Sequence, residues 1–312
     1  MCGFIIQQKK NTSFNLNTFV FKKASKLIFH RGPDSKNYLL NKNTNVFHSR
    51  LKIIDLNERS NQPMTRKGYT IIFNGEIYNF KELRKQLQKK FKFKTSSDTE
   101  VLLFSYLEWK EKMFDKINGM FSFVIFNIYN NDLFFARDLF GQKPLYYYKD
   151  KNQIIFSSEI KPILMLKSSK KVQFENKEII KYLHHNFYGD SKYTFFKDIF
   201  QIEPGKFGIL KKNKLSIKKI QYEKLKFIPN IKNVNKMINK EIGDHLVSDV
   251  KTAIMISEGV DSKSILDISS KIYKKNLKLF NLEFEDFNNS EFKKKYSKKK
   301  NIDLNFTRFS KK

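Results

Sequence analysis

The pattern of apolar positions predicts several strands in the first two thirds of the chain. Residues 119–126 are apolar on both alternating faces, which is typical of a strand buried between two layers. Residues 70–73 form a shorter β-rich run that ends in Asn74-Gly75-Glu76, a tight-turn signal. Residues 47–55 are expected to form a further strand, which carries the single arginine Arg50.

A helix is predicted to follow directly after these strands. Residues 96–100 combine serine, aspartate and threonine in the pattern of a helix N-cap. Leu103, Phe104, Leu107 and Phe114 then recur on one helical stripe. The sequence therefore predicts a helix that begins near residue 97 and buries this apolar face.

The last third of the chain reads as a parallel α/β unit. Residues 234–250 show helical spacing, and residues 252–256 form a short apolar strand. The loop 257–264 follows, then a helix, a second strand at 277–284 and a third at 303–309. The loop lies at the carboxyl end of its strand, where ligands bind in such sheets.

Length and composition exclude several classes of protein. A chain of 312 residues suggests about two domains. A hydrophobic content of 40% is too high for a disordered chain. One cysteine excludes an intramolecular disulfide framework and any cysteine-rich zinc module. Since no run of about 18 uncharged apolar residues or signal-peptide pattern occurs, we expect no membrane span and a cytoplasmic location.

The net charge of +30 raises the question of a nucleic-acid partner. The lysines are spread along the whole chain, with the densest cluster at 293–300. We interpret most of them as a solvated surface, and binding to a polyanion remains the alternative.

The only cysteine, Cys2, follows the initiator methionine. Removal of Met1 would place a thiol and a free α-amine on the same residue. An α-amine has a pKa of about 7.7–8.0 and can accept the thiol proton, which supplies nucleophile and base together. The alternative is that Cys2 is merely a small apolar N-terminal residue.

Several motifs occur in a fixed order around Cys2. They are Met1-Cys2-Gly3, His30-Arg31-Gly32-Pro33-Asp34, the Arg-Leu-x-Ile-Ile-Asp run at 50–55, Asn-Gly-Glu-Ile-Tyr-Asn at 74–79 and Ser-Asp-Thr-Glu at 97–100. Together they resemble the glutaminase domain of class II, N-terminal-nucleophile glutamine amidotransferases, in the branch of the glutamine-dependent asparagine synthetases. The runs at 137–147 and 156–161 continue the resemblance over most of residues 1–220.

The resemblance implies a set of site residues. It assigns catalysis to Cys2, Asn74 and Gly75, the last two as donors to a tetrahedral oxyanion. It assigns glutamine binding to Arg50, Leu51, Ile53, Asn74, Gly75, Glu76 and Asp98. Arg50 would bind the α-carboxylate through two parallel hydrogen bonds, and Asp98 would hold the α-ammonium.

Each of these assignments has an alternative. Arg50 could form a rim salt bridge, Asn74-Gly75 a plain hairpin turn, and Asp98 only an N-cap. We expect His30–Asp34 and Arg137-Asp138 to organise loops around the site. His184 and His185 are interpreted as structural residues, and no metal site is predicted.

The resemblance also implies a fold and a division into domains. An α+β domain of four αββα layers, similar to N-terminal-nucleophile (Ntn) hydrolases, is expected at residues 1–220. A linker at 221–235 would lead to an incomplete α/β parallel-sheet synthetase domain at 236–312. Because the chain stops at Lys312, soon after the third predicted strand, we expect the synthetase half to be incomplete.

The loop after the first C-terminal strand resembles the pyrophosphate-binding loop Ser-Gly-Gly-x-Asp-Ser of ATP-dependent synthetases. It implies ATP and Mg²⁺ as cofactors. The residues assigned to ATP or pyrophosphate binding are Ile256, Ser257, Gly259, Asp261, Ser262 and Leu282. Glu258 stands where that pattern has its first glycine, which removes backbone freedom and adds a negative charge near the phosphates.

The function implied is glutamine-dependent asparagine synthesis, in which glutamine, aspartate and ATP are the substrates. An alternative is a synthetase-like amidotransferase that acts on another carboxylate, such as a sugar acid. A further alternative is a glutaminase subunit that needs a second polypeptide to complete the synthetase. A basic, non-catalytic binding protein is the third possibility, and it would predict salt-sensitive nucleic-acid binding.

Overall fold

The structure of the chain is a computed structural model. It describes residues 1–11, 13–169, 171–187, 189, 191–221, 230–257, 259–273, 277–284 and 302–309. The chain divides into two units, Met1–Glu223 and Lys224–Lys312. None of the helices in the described ranges is long and apolar enough to cross a membrane.

The first unit contains twelve of the described strands and five of the described helices. In chain order these elements are β1 (Gly3–Lys9), α1 (Thr18–Lys26), β2 (Ser35–Leu40), β3 (Thr44–Arg50), β4 (Met64–Arg66), β5 (Tyr69–Ile77), α2 (Phe80–Leu87), α3 (Asp98–Trp109), β6 (Gly119–Asn127), β7 (Leu133–Arg137), β8 (Tyr146–Lys149), β9 (Gln153–Ser157), α4 (Ile160–Leu166), α5 (Asn176–His185), β10 (Ile199–Gln201), β11 (Lys206–Lys211) and β12 (Lys214–Lys219).

These strands form two six-stranded antiparallel sheets. One has the order β10-β8-β9-β1-β3-β2, and the other has the order β12-β11-β7-β6-β5-β4. One buried cluster draws on both sheets, with Phe4 and Val46 from the first and Ile72 and Val124 from the second. A second cluster joins the other face of the first sheet to helices α1 and α4. The predicted arrangement of two antiparallel sheets with helical layers is confirmed.

The central strand β6 confirms the strand predicted at residues 119–126. Its residues 121–126 are buried without interruption, and it lies between β5 and β7 in the second sheet. A strand in that position has no face left for water, which is why it needs apolar residues on both faces.

Two predictions about strand ends were wrong. The run Asn74-Gly75-Glu76 is not a turn, because β5 continues through it and pairs with β6 from Tyr69 to Ile77. The strand predicted at 47–55 ends at Arg50 as β3. Beyond it the chain folds back around the Arg50 side chain, and Asp55 adopts a φ of 52° that no strand allows.

The N-cap of α3 is confirmed, although its predicted apolar stripe is too long. The Ser97 hydroxyl accepts a hydrogen bond from the Glu100 N–H at 3.3 Å. Leu103 and Phe104 are buried as predicted. Phe114 is also buried, but it lies beyond the end of the helix in a short 3₁₀ turn.

The second unit contains helix α6 (Ile231–His245), β13 (Ala253–Met255), α7 (Val260–Ile272), β14 (Leu277–Phe284) and β15 (Ile302–Phe309). The strands are parallel in the order β13-β14-β15. Ile254, Ile256, Leu266, Leu277 and Leu279 form its buried cluster. The three predicted strands are therefore present.

Some predictions for the last third of the chain differ from the structure, and others concern residues that the structure does not describe. Helix α6 begins at Ile231, inside the range predicted as linker, and ends five residues before 250. Residues 222–229 of the predicted linker, Glu258 and the lysine cluster at 293–300 lie outside the described residues.

Candidate functional site

Cys2 directly precedes β1, which begins at Gly3. Its thiol is half-buried and exchanges two weak contacts with Leu51, whose N–H lies 3.4 Å and whose carbonyl oxygen lies 3.6 Å from Sγ. Burial raises the pKa of the Cys2 thiol, although the Leu51 N–H and the charge of Arg50 oppose this change. The thiol is therefore protonated at neutral pH, and it needs a base to become a nucleophile.

One pocket contains every residue that the sequence assigned to glutamine. Its lining includes Cys2, Arg50, Leu51, Ile53, Asn74, Gly75, Glu76 and Asp98. These residues come from β1, from the end of β3 and its following loop, from β5 and from the first turn of α3. The fold thus brings together groups that are up to 96 positions apart in the chain.

The same pocket contains residues to which the sequence had assigned no role in catalysis or in glutamine binding. They are Met1, Ile54, Gln62, Phe73, Thr99 and Lys143. Lys143 belongs to the motif at 137–147, so its neighbourhood carried a signal although its side chain was not singled out. No role was assigned to Gln62 or to Phe73. Gln62 lies in none of the sequence motifs, so nothing in the sequence could have identified it.

Asn74 presents an amide nitrogen to this pocket. The residue is only 1% exposed, and its Nδ2 has no hydrogen-bond partner among the residues that the structure describes. Leaving a buried donor unpaired costs about 1–3 kcal/mol, so such groups in folded proteins call for an explanation. A ligand oxygen that appears only during a reaction would supply the missing acceptor.

The backbone N–H of Gly75 points to the edge of β5 that faces away from β6. The edge-facing N–H of Phe73 donates to Gln62 Oε1 at 2.6 Å, and that of Ile77 donates to Asp98 Oδ2 at 3.1 Å. Backbone groups alternate in direction along an antiparallel strand, so the Gly75 N–H points to this edge too. Phe121 lies opposite Gly75 on β6. Its N–H donates to the Asp138 carboxylate and its carbonyl oxygen accepts from the Asp138 N–H, so both polar groups point away from β5.

Gly75 also has to be a glycine for steric reasons. A Cβ at this position would lie 2.1 Å from the Met120 carbonyl oxygen and 2.8 Å from the Phe121 Cα. Both atoms belong to the backbone of β6 and cannot move aside without breaking the pairing. The site therefore gains a backbone donor without a side chain that would cover it.

Arg50 is buried at the end of β3 and organises the loop that follows. Nη2 donates to the carbonyl oxygens of Ile54 and Asp55, at 3.0 and 2.5 Å. Nη1 donates to the Asn57 carbonyl oxygen and to Asn61 Oδ1, both at 3.0 Å. Both terminal nitrogens thus already have acceptors. The two-pronged grip on a carboxylate implied by the resemblance would require the guanidinium to give up at least one of them.

Asp98 is buried at the first position of α3. Burial raises the pKa of its carboxyl to about 7, and the nearby charge of Glu76 acts in the same direction. The Ile77 and Thr99 N–H groups and Arg50 oppose this rise. A carboxyl in this state gains from a cationic partner, and the α-ammonium of an amino acid is one.

The motif at 30–34 holds the backbone around the nucleophile. Arg31 Nε donates to the Cys2 carbonyl oxygen at 2.9 Å, and Nη1 lies 3.2 Å from Glu159 Oε1. Gly32 packs directly on β3, because a Cβ there would lie 2.3 Å from the Ser49 carbonyl carbon. Asp34 accepts from the Lys52 N–H at 2.7 Å. The motif organises loops, as expected.

The motif at 137–143 shapes the opposite wall of the pocket. The Asp138 carboxylate accepts hydrogen bonds from the backbone N–H groups of Phe140, Gln142 and Lys143, and Arg137 binds the Gly141 and Lys143 carbonyl oxygens. This loop turns the Lys143 side chain inward, where Nζ lies 3.5 Å from Met1 Sδ. Burial lowers the pKa of Lys143.

The predicted ATP loop lies in the second unit, after β13. Ser262 Oγ donates to the carbonyl oxygens of Ser257 and Gly259, at 2.9 and 3.1 Å, and accepts from the Ser257 N–H at 3.2 Å. Asn281 Nδ2 on β14 donates to the Ile256 carbonyl oxygen at 2.7 Å. The sequence had not indicated this contact, which fixes the start of the loop.

The exposure of the predicted ATP residues differs widely. Ile256 is buried within the sheet core, whereas Ser257, Gly259, Asp261 and Leu282 are exposed and Ser262 is half-buried. At the start of α7 the Lys263 N–H donates to the Gly259 carbonyl oxygen at 3.2 Å. In general, N–H groups in the first turn of a helix lack intrahelical acceptors and can bind anions.

No group of metal-ligating side chains occurs in the described part of the chain. His184 and His185 lie exposed in the last turn of α5.

Comparisons with known proteins agree with this geometry. Residues 1–222 match the family described as "Glutamine amidotransferase domain", and residues 233–311 match "Asparagine synthase". The chain is 34% identical over 305 residues to asparagine synthetase [glutamine-hydrolyzing] 1 of Bacillus subtilis (strain 168), covering 93% of this chain and 47% of that protein. Asparagine synthetase B [glutamine-hydrolyzing] of Escherichia coli (strain K12) is 28% identical over 257 residues, 79% of this chain and 41% of its own length.

A solved structure shows the same fold at low identity. Glutamine phosphoribosylpyrophosphate amidotransferase of B. subtilis superposes with a TM-score of 0.52 and 13% identity, over 87% of this chain and 64% of its own. The chain spans about half the length of the curated relatives it matches. Together these matches show that the chain belongs to the class II glutamine amidotransferase family, as a homologue of the glutamine-hydrolysing asparagine synthetases.

Proposed function

We propose that this chain hydrolyses glutamine at Cys2 and releases glutamate and ammonia. The observation that carries the proposal is the buried Asn74 Nδ2, which has no hydrogen-bond partner among the described residues and belongs to a residue that lines one pocket with Cys2 and Gly75. Arg50 and Asp98 line that pocket with opposite charges, which suits an amino acid in its zwitterionic form.

The reaction begins with the removal of Met1, which frees the α-amine of Cys2. Burial already lowers the pKa of the amine at position 1. An ordinary α-amine has a pKa of about 7.7–8.0, so about a tenth or more of it is neutral at pH 7. The α-amine of Cys2 accepts the thiol proton, directly or through water, while the sulfur attacks the side-chain amide carbon of glutamine.

The attack produces a tetrahedral intermediate whose oxygen carries a negative charge. The Asn74 amide and the Gly75 N–H donate to this oxyanion. The protonated α-amine then gives its proton to the leaving nitrogen, and ammonia departs as the C–N bond breaks. Water, deprotonated by the same amine, hydrolyses the thioester to glutamate and restores the thiol.

Arg50 and Asp98 hold the substrate during these steps. We propose that Asp98 binds the α-ammonium, while Arg50 contributes its positive charge to the α-carboxylate and keeps the loop at 51–61 in place. Leu51, Ile53 and Glu76 complete the glutamine site.

The binding of glutamine should depend on pH because of Asp98. Its pKa of about 7 means that the carboxyl of the free protein still holds its proton where an ordinary aspartate is ionised. Protons then compete with the α-ammonium, so KM for glutamine rises as pH falls below about 7, by up to roughly tenfold per pH unit. KM becomes constant above about pH 8. Initial rates between pH 6 and 8.5 measure this dependence.

Asp98→Asn provides the control for the pH dependence. It should raise KM at every pH and remove the slope below pH 7, since the amide does not titrate. A slope that persists in Asp98→Asn would assign the pH effect to another group.

The proposed activity is tested by incubating the purified protein with glutamine and measuring glutamate and ammonia. Intact-mass analysis of the same sample reports whether Met1 has been removed. We expect stoichiometric release of both products from the Met1-free form and none from a form that retains Met1. Absence of glutamate release from a folded, Met1-free protein would refute the proposal.

For the second unit we propose the family's synthetase role, with ammonia, aspartate and ATP as reactants and Mg²⁺ accompanying the ATP phosphates. The match of residues 233–311 and the helix start after Gly259 support it. Ser257, Gly259, Asp261 and Ser262 would face the phosphates, and Ile256 and Leu282 would flank the nucleotide.

We further propose that residues 1–220 act as the glutaminase, with a linker at 221–235 and the synthetase part at 236–312. A second polypeptide could complete that part. Equilibrium dialysis with ATP and Mg²⁺ tests nucleotide binding directly. Absence of saturable binding by the chain alone would restrict this role to an assembly with additional polypeptide.

A further inference from the structure

The edge of β5 beside Asn74 and Gly75 is completed by side chains instead of a strand. Strand β4 pairs only with Tyr69–Ile71, where Met64 lies opposite Ile71. From Phe73 onward the backbone groups on this side need other partners, since unpaired buried N–H and C=O groups are costly. Two buried side chains, Gln62 and His48, supply them for Phe73.

The Gln62 side chain accepts a hydrogen bond from the Phe73 N–H. Its Oε1 accepts that hydrogen bond at 2.6 Å, and its Nε2 donates to Thr99 Oγ1 at 3.3 Å. A backbone N–H can only donate, so the orientation of the Gln62 amide follows from the contact. Gln62 precedes β4 by two residues and so continues the pairing of that strand through its side chain.

The His48 side chain bonds to the carbonyl group of the same residue, Phe73. His48 Nε2 donates to the Phe73 carbonyl oxygen at 3.0 Å, and the imidazole is fully buried. A carbonyl oxygen can only accept, so Nε2 carries the proton. Burial lowers the pKa of His48 to about 4, and the ring therefore remains neutral at physiological pH.

His48 also belongs to the sheet that carries the nucleophile. It lies on β3 opposite Phe4 of β1, two residues beyond Cys2. Phe73, which it binds, lies in the other sheet and directly precedes Asn74. One hydrogen bond thus joins the strand next to the nucleophile to the strand that carries both oxyanion donors.

We propose that His48 and Gln62 are positioning residues for glutamine hydrolysis, which hold Phe73 from both of its backbone polar groups so that Asn74 and Gly75 face Cys2. The inference rests on the proposed glutaminase function. Neither side chain needs to touch the substrate for this role. A displacement of about 1 Å in a reacting group can cost about 10²-fold in rate, which sets the scale of the effect.

Paired variants separate the hydrogen bond from the bulk of each side chain. His48→Leu removes the donor, whereas His48→Gln keeps an N–H donor of similar reach. Gln62→Met removes the acceptor, whereas Gln62→Glu keeps it. We expect His48→Leu and Gln62→Met to lower kcat about 10- to 100-fold with KM changed less than about threefold. His48→Gln and Gln62→Glu should recover most of kcat.

Gln153→Met is the matched control for a purely structural role. Gln153 is also fully buried and hydrogen-bonded, to the Gln7 amide and to the Leu166 carbonyl oxygen. It begins β9 and lies opposite Lys9, at the end of β1 away from Cys2. Gln153→Met should lower the melting temperature as His48→Leu does and leave kcat unchanged. An equal loss of kcat in Gln153→Met would overturn the proposal.

Two further measurements do not depend on glutaminase activity. Alkylation of Cys2 by iodoacetamide should proceed at the parent rate in His48→Leu, because the thiol itself is unchanged. Amide hydrogen exchange at Asn74 and Gly75 should accelerate at least tenfold in His48→Leu. Unchanged exchange there would overturn the positioning role even in a parent protein without activity, an outcome that would separately refute the proposed function.

Discussion

Replacement of Cys2 by alanine abolishes glutamine hydrolysis, with a loss in kcat of about 10⁴-fold or more. The thiol is the only group in the pocket that can form a thioester, and Cys2 is the sole cysteine of the chain. Alanine is as small as cysteine, so the removal of Met1 should continue. The measurement is the rate of glutamate release, with the mass of the intact protein determined on the same sample.

The fold should survive this change. The thiol makes only two weak contacts with Leu51, at 3.4 and 3.6 Å. We therefore expect a melting temperature within about 2 °C of the parent. Equal glutamate release by the parent and by Cys2→Ala would show that the activity arises elsewhere or from a contaminant.

Replacement of Asn74 by alanine should lower kcat about 10²- to 10³-fold, the usual cost of losing one oxyanion donor. KM should change little, because the interaction forms only once charge develops on the oxygen. Stability should be nearly unaffected, since Asn74 Nδ2 has no hydrogen-bond partner among the described residues and no bond is lost. Steady-state kinetics and thermal melting check the three parts of this expectation.

Asn74→Asp extends the test, and Asn130→Ala controls it. The aspartate keeps the shape of the side chain, replaces the donor with an acceptor and should be at least as impaired as alanine. Asn130 is an exposed asparagine in the turn after β6, the strand that pairs with β5. Its replacement should leave kcat unchanged. If Asn74→Ala retains the parent kcat, Asn74 is not an oxyanion donor.

Much of the lining of the Cys2 pocket could be predicted because its residues lie in short motifs whose order is characteristic of a family. Cys2, Arg50, Asn74 and Asp98 were each ambiguous alone. The structure removes one alternative, because Asn74 lies in a strand and not in a turn.

The contacts of His48, Gln62 and Lys143 could not be predicted from the sequence. His48 bonds to Phe73, Gln62 to Thr99 and Lys143 to Met1, and each partner is distant in the chain. The contact of His48 with Phe73 spans 25 positions and joins two different sheets. Local patterns contain no information about such a contact, because it depends on how the two sheets are stacked.

Asn74-Gly75 shows the limit of local reasoning most directly. By itself the dipeptide favours a two-residue turn, because glycine and asparagine readily adopt left-handed backbone angles. In the structure it is held extended by pairing along the length of β6, over nine residues of β5. The tertiary pairing outweighs the local preference and keeps the dipeptide within β5.

The sequence by itself determined the family, the presence of buried strands and the parallel character of the second unit, because these depend on residue type and spacing. The tertiary structure alone decided where β3 ends, that Arg50 holds its own loop, and that the buried Asn74 Nδ2 has no hydrogen-bond partner among the described residues. The reason is that hydrogen-bond satisfaction is a property of the whole packed interior, in which distant segments compete for the same donors and acceptors.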